Sequence, residues 1–389
     1  MPEHTMPYAT LMEHKLREGT LRTLYNVDAA RRRAQAEGRS FVNLSSNDYL
    51  GIGEDMALRQ EFWASHDPAT LRFGACASRL LTGTFDEHAA FEHDLAHAYG
   101  AEAALVFGSG YHANEGILPA LCGKNTLLLA DKRIHASCID GMRLCAGRVL
   151  RYRHNDYQQL AALVEEQHPH YAAIWIVTES IFSMDGDYCD LQALARLKQS
   201  FPKVHLYIDE AHAVGVRGPG GLGCCAQAGL TQTVDVLMGT LSKAWASSGA
   251  FIACSAALRD YLINTVRPFI FTTALPPINL AWSRFILHKM RETDFAARRR
   301  HLADIAHWLH TALPHTGPNA EPSQIIPVIL GDNQRTLDAA KALQDQGFHV
   351  PAIRPPTVPP GTARLRISLT AAVTTAQVQA LAASLAPWL

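Results

Sequence analysis

At 389 residues the chain exceeds one typical domain, and its formal net charge of −1 gives no general attraction to nucleic acid or to an anionic membrane. No apolar run approaches the roughly 18 residues that span a bilayer, and neither the 19 histidines nor the eight cysteines fall into a metal-ligating or C-x-x-C spacing. A cytoplasmic enzyme with reduced cysteines, no bound metal and no secretory leader is the expectation.

Taken in chain order, the N-terminal segment, residues 1–49, reads as a charged helical stretch followed by a basic helix over 28–37, whose Arg31-Arg-Arg33 run faces solvent. Residues 41–44 alternate like a strand and meet a turn at Asn47-Asp48, the pattern of a hairpin. Residues 85–100 place apolar groups at helical spacing and stop at glycine, leading through an apolar strand at 103–107 into Gly108-Ser-Gly110-Tyr111. Strand, glycine-rich loop and helix together present backbone N–H groups to a phosphate, although Gly-Ser-Gly alone is more often just a turn.

Strands at 126–130, 148–151 and 173–179 then alternate with helices at 135–145, 157–166 and from Leu191. Such alternation with short turns predicts a mostly parallel sheet wrapped by helices, an α/β domain over 50–275. A smaller α+β domain over 276–389 follows. It comprises helices within 277–313 with Arg298-Arg-Arg300 as a solvated face, and a loop at 317–323. Strands at 325–330, 348–352 and 363–369 and helices at 336–346 and 375–386 complete it.

Two stretches of the large domain carry chemistry. Val204-His-Leu-Tyr-Ile-Asp209 is an apolar run ending in a carboxylate, with His212 three positions on; a second apolar run from Val234 breaks into small and hydroxylated residues around Lys243. Buried parallel strands end where open α/β sheets collect their ligands, so the amine, acid and imidazole can share one crevice. A lysine that binds an aldehyde as a Schiff base, beside a carboxylate that keeps a pyridinium nitrogen protonated, is pyridoxal phosphate chemistry. Taken alone, a lysine such as Lys243 is far more often a solvated loop residue.

Seven segments in order decide between these readings: Leu44-Ser-Ser-Asn-Asp-Tyr-Leu-Gly51, Gly108-Ser-Gly-Tyr-His-Ala-Asn114, Asp131-Lys-Arg-Ile-His135-Ala-Ser137, Glu179-Ser-Ile-Phe-Ser-Met-Asp-Gly-Asp187, Asp209-Glu-Ala-His212, Thr240-Leu-Ser-Lys243, and Ile353-Arg-Pro-Pro-Thr357 through Arg366. Together they resemble the α-oxoamine synthases, a pyridoxal-phosphate family, over nearly the whole chain. The resemblance implies the fold-type I transferase fold and a homodimer with shared active sites. It makes Lys243 the cofactor-binding lysine and later proton shuttle, pairs Asp209 with the pyridinium nitrogen, and stacks His135 on the ring. It sets His212 and Ser183 near the phenolic oxygen, Gly110, Tyr111 and Thr240 around the phosphate or ring, and Thr272 and Thr273 at the phosphate of a neighbouring subunit. For substrates, it gives Arg366 and Asn47 to the amino-acid carboxylate, and Arg22 and Thr357 to the acyl group.

Within the family, the Arg-Pro-Pro-Thr-Val-Pro run favours the branch that condenses L-alanine with a pimeloyl thioester of coenzyme A or acyl carrier protein, releasing CO₂ and the thiol. A branch using glycine, of the glycine C-acetyltransferase or 5-aminolevulinate synthase type, is the alternative. A non-catalytic scaffold is a weaker one, because it should have lost Lys243. Two departures from the family pattern, Cys76 in the loop at 72–83 and Trp245 beside the lysine, are expected to reshape the amino-acid or acyl pocket.

Overall fold

Runs of Leu, Ile, Val and Ala too short for helices, each closed by a turn, become the strands of a seven-stranded sheet. They are seen in a computed structural model that describes residues 8–313 and 321–389; the first part of the expected loop at 317–323 lies outside these. Across the sheet the order is Ala103–Phe107, Ala250–Cys254, Val236–Thr240, Val204–Asp209, Ala173–Glu179, Thr126–Asp131 and Arg148–Tyr152. Ala250–Cys254 runs antiparallel to both its neighbours, whereas the remaining pairs are parallel. Leu128, Val177, Tyr207 and Ile252 on the strands pack with Ile117 and Leu118 of the helix Gly110–Leu121 in one buried cluster. Gly100, at φ 64°, closes the helix Asp86–Tyr99 in the left-handed conformation that a side chain would resist.

The parallel strands end together. Asp131, Glu179, Asp209 and Thr240 are the last residues of their strands, and Glu179 is registered against Asp209. Acidic and hydroxyl groups are thereby gathered at one rim of the sheet, where ligands of such sheets bind.

The chain divides into a larger unit of Asn47–Ser183 with Asp187–His301, and a smaller one of Met184–Gly186 with the stretches before Asn47 and after His301. Pro277–Lys289 therefore groups with the sheet-bearing unit rather than with the C-terminal domain. Trp282 and Phe285 meet Phe62 edge-on at 5.4 and 5.7 Å. Arg298 is not the solvated residue expected, since its guanidinium donates to Leu50 O at 3.1 Å and pairs with Asp55. Arg299 donates to Met290 O at 2.9 Å, and burial lowers its pKa. The helices Met56–Ser65 and Ala256–Thr265 were not anticipated, although Asp55 and Ser255 are the caps that announce them.

In the smaller unit, Ala352–Ile353, Ala363–Ser368 and Ile325–Gly331 form an antiparallel sheet in that order. The expected strand over 348–352 is split, because Pro351 has no N–H to offer a ladder. No hairpin forms at 41–47: Val42–Asn43 instead pairs in parallel with Phe348–His349. Arg364, 3% exposed, is held by Asp185 at 2.7 Å. Among the described residues no helix is long and apolar enough to cross a membrane, and no cluster of His, Cys, Asp and Glu could hold a metal ion.

Candidate active site

A cavity of about 240 Å³ opens at the rim where the parallel strands end, lined by Gly110, Tyr111, Asn114, His135, Glu179, Asp209, His212, Thr240, Ser242 and Lys243 among others. Seven of the residues singled out from the sequence (Gly110, Tyr111, His135, Asp209, His212, Thr240 and Lys243) thus line a single cavity.

The lysine is delivered by a tight loop between Val236–Thr240 and Ala250–Cys254. Leu241 N–H donates to Gly249 O at 2.9 Å, Ser247 N–H to Leu241 O at 2.9 Å and the Thr240 hydroxyl to Gly249 O at 3.1 Å. Gly249 sits at φ 102°, and a Cβ there would lie 2.5 Å from Leu275, so only glycine closes the loop. Half-buried Lys243 then reaches His212 Nε2 with its Nζ at 2.8 Å. The His212 Nδ1 lies 2.6 Å from the hydroxyl of fully buried Tyr49.

Asp209, 4% exposed, is fixed from two sides: Asn114 Nδ2 donates to Oδ2 at 2.9 Å and Ala211 N–H to Oδ1 at 2.9 Å. Asn114 is in turn anchored by the Tyr207 hydroxyl, which donates to Oδ1 at 2.6 Å. Its strand neighbour Glu179 is buried as well. Burial first, and then the Asp209 charge, push the Glu179 pKa well above the ordinary range, against the opposing pull of Lys243 and of the His135 and Ser183 backbone N–H groups. The buried Glu179 carboxyl is thereby biased toward its neutral form beside Asp209.

His135 caps the helix Ala136–Arg143, its Nδ1 accepting from Ser137 N–H at 3.2 Å. Desolvation within the cleft lowers its pKa; Asp209 opposes this and Lys243 reinforces it, so the ring is neutral near pH 7. The turn that carries it is fastened by fully buried Asp131, whose Oδ1 accepts from Arg133 N–H at 2.7 Å. The same oxygen lies 2.9 Å from His154 Nδ1, while His154 Nε2 lies 2.6 Å from Asp187 Oδ2. Burial works to lower the His154 pKa, but its bonds to the two carboxylates outweigh that and lift it to about 9. An imidazolium therefore clamps the turn before His135 to the far end of the loop that carries Ser183.

Not every expected residue is in the cavity. Ser183 is buried outside its lining and bonds through its backbone to Glu179. Thr272 lines a separate cleft of about 680 Å³ with His112 and Arg267, and Thr273 bridges to Ser78. Asn47 accepts from the Tyr49 hydroxyl at 3.1 Å. In the smaller unit Arg22 Nη2 donates to Thr357 Oγ1 at 2.8 Å, joining two residues 335 apart, and Arg366 lies 6% exposed on Ala363–Ser368.

Trp245 does not reshape the cavity, as its ring is fully buried behind the lysine loop between Phe91 and Phe251, at 6.2 and 6.1 Å. Cys76 is exposed at φ 56° and is likewise absent from the cavity lining. The sequence assigned no role to Tyr49, Asn114, Ser137, Glu179 and Tyr207, although the first four fall within the family segments. Signals existed: Tyr207 precedes Asp209 by the two-residue period of a strand face, and Asn114 follows Gly110 by one helical turn.

The donor set fits pyridoxal phosphate. An amine stands ready for its aldehyde, a fixed carboxylate for its ring nitrogen and a neutral imidazole for its ring face. The N-terminus of Gly110–Leu121, with the Thr240 and Ser242 hydroxyls nearby in the lining, suits a phosphate. Glu179 Oε1, buried in that lining, has no hydrogen-bond partner among the described residues and is left for a ligand or water.

Comparison with known proteins agrees. Residues 39–385 match the aminotransferase class I and II family. A protein of Pasteurella multocida named as an 8-amino-7-oxononanoate synthase is 47% identical over 353 residues, 90% of this chain and 91% of its own. Among solved structures, the serine palmitoyltransferase of S. paucimobilis with bound PLP and myriocin superposes with a TM-score of 0.81 at 28% identity, covering 92% of this chain and 95% of that one. The 8-amino-7-oxononanoate synthase of Francisella tularensis gives a TM-score of 0.74 at 26% identity, covering 90% and 97%. Pyridoxal 5′-phosphate is thus the cofactor, and the chain belongs to the class I and II aminotransferase family and, within it, to the α-oxoamine synthases, which are acyltransferases.

Proposed function

We propose that the protein condenses L-alanine with a pimeloyl thioester, of coenzyme A or acyl carrier protein, to give 8-amino-7-oxononanoate, CO₂ and free thiol, a step of biotin biosynthesis. The observation that carries the reading is the convergence of Lys243, His212, Asp209 and a helix N-terminus on one cavity. The name of the 47% identical relative supports the substrates. We take the working form to be a cytoplasmic homodimer, with Thr272 and Thr273 turned to the partner's phosphate site.

When bound, pyridoxal phosphate supplies the electron sink that lets an amino-acid α-carbon lose a proton or CO₂. The chain's own residues do the rest. Asp209, held in place by Asn114 Nδ2 and Ala211 N–H, would keep a proton on the ring nitrogen. His135 presents an uncharged face that excludes water from one side of the ring. Lys243 Nζ takes the α-proton of alanine, and His212 Nε2, 2.8 Å away, can accept a proton from it and return it. Asn47 and Arg366 are assigned to the alanine carboxylate, for which a guanidinium offers two parallel donors. Arg22 and Thr357 are assigned to the acyl group.

The test is product identification by mass spectrometry. Enzyme supplied with alanine and pimeloyl-coenzyme A or pimeloyl-acyl carrier protein should form 8-amino-7-oxononanoate, and glycine or serine should not replace alanine. A second reading, serine condensing with a longer acyl thioester, is favoured by the higher TM-score to serine palmitoyltransferase. Turnover with serine and a palmitoyl thioester, and none with alanine, would select it.

A further inference from the structure

We propose that Tyr49 is a positioning residue of this site: its hydroxyl fixes the ring of His212 so that Nε2 faces the amine of Lys243. Tyr49 is fully buried; its hydroxyl donates to Asn47 Oδ1 at 3.1 Å and lies 2.6 Å from His212 Nδ1. A phenol has one proton to give. With that proton on Asn47, the Tyr49 oxygen accepts at the shorter contact, so Nδ1 carries the hydrogen. The lone pair of neutral His212 is then on Nε2, 2.8 Å from Lys243 Nζ. The hydrogen bonds run in one direction, from Lys243 to His212 to Tyr49 to Asn47.

The tyrosine is held to this task by its surroundings. Its backbone N–H donates to Asn47 O at 2.8 Å, and the Asp48 carboxylate accepts from Ile52 and Gly53 N–H at 3.0 and 2.8 Å, which locks the turn. The Tyr49 and His212 rings are 6.0 Å apart and inclined at 51°, so the hydroxyl rather than stacking governs the imidazole. Tyr49 binds Nδ1–H whether or not Nε2 is protonated. His212 can therefore take a proton from the Lys243 ammonium, becoming imidazolium, and hand it back without turning its ring.

The use of this relay in turnover rests on the proposed function, but the tautomer does not, and the two can be tested apart. In the apoprotein labelled with [¹⁵N]histidine, the His212 signals can be assigned among the 19 histidines by difference against His212→Gln. Their shifts should show Nδ1 protonated and Nε2 bare; a His212 protonated on Nε2 alone overturns the proposal. Tyr49→Phe keeps the ring and its packing and removes only the hydroxyl. In it the single tautomer should give way to a mixture, and kcat should fall about tenfold, the worth of one hydrogen bond, with KM for the amino acid unchanged. Retention of the single tautomer, or of full kcat, would refute it. Failure of the alanine and pimeloyl reading would leave the nuclear magnetic resonance result standing.

Discussion

The charge clamp at His154 makes a quantitative demand on stability. Both ring nitrogens lie against carboxylates, Nδ1 at 2.9 Å from Asp131 and Nε2 at 2.6 Å from Asp187, a geometry only the doubly protonated ring satisfies. Phe182 covers the ring edge-on at 4.5 Å, and Asn155, which accepts from Tyr157, also donates to Asp187. A histidine whose pKa is raised on folding stabilises the native state fully below its unfolded value and loses that contribution as pH rises through the folded value. Here the window runs from 6.5 to about 9. At about 1.4 kcal/mol per pH unit, the gap of roughly 2.5 corresponds to about 3.5 kcal/mol as an upper bound.

His154→Gln can still hydrogen-bond but carries no charge. Urea denaturation of both proteins at one protomer concentration, at pH 6 and at pH 9.5, isolates the effect, because groups remote from residue 154 titrate equally in the two. The variant should be less stable by about 3 kcal/mol at pH 6, and that deficit should shrink to a small fraction at pH 9.5. A deficit that is the same at both pH values would refute the clamp.

Further substitutions probe the other layers. Asp209→Asn preserves shape and removes the charge; it should still bind the cofactor while exchange of the alanine α-proton for deuterium slows at least about 100-fold, as proton nuclear magnetic resonance can follow. Arg22→Ala breaks the bond to Thr357 and should raise KM for the acyl thioester about tenfold or more, the scale of one hydrogen bond to a charged group, leaving KM for alanine unchanged. Trp245→Ala empties a fully buried site and should cost about 3–5 kcal/mol in denaturant stability without altering the choice of amino acid.

Periodicity revealed the parallel sheet and the order of its helices because inner strands such as Ala173–Glu179 and Val204–Asp209 are buried on both faces and so read as nearly unbroken apolar runs. It failed where tertiary context decides. Val42–Asn43 pairs with a strand 306 positions on, which no local pattern foretells, and Arg298 reads as a surface residue until Asp55 is seen beside it. The site was legible in Lys243, Asp209, His212 and His135 because the family motifs carry them. Their supports were harder to read. Tyr49, Asn114 and Tyr207 act by meeting side chains 163, 95 and 93 positions away, and Trp245 is explained only by the aromatic pocket behind its loop.

The proposed chemistry requires that the amine that reaches His212 be the one that binds the cofactor. Borohydride reduction of the loaded protein, followed by proteolysis and mass spectrometry, should find the reduced pyridoxyl mass on the peptide containing Lys243, and on no peptide of Lys243→Ala. A pyridoxyl group on any other lysine, or an undiminished visible band in that variant, would contradict it.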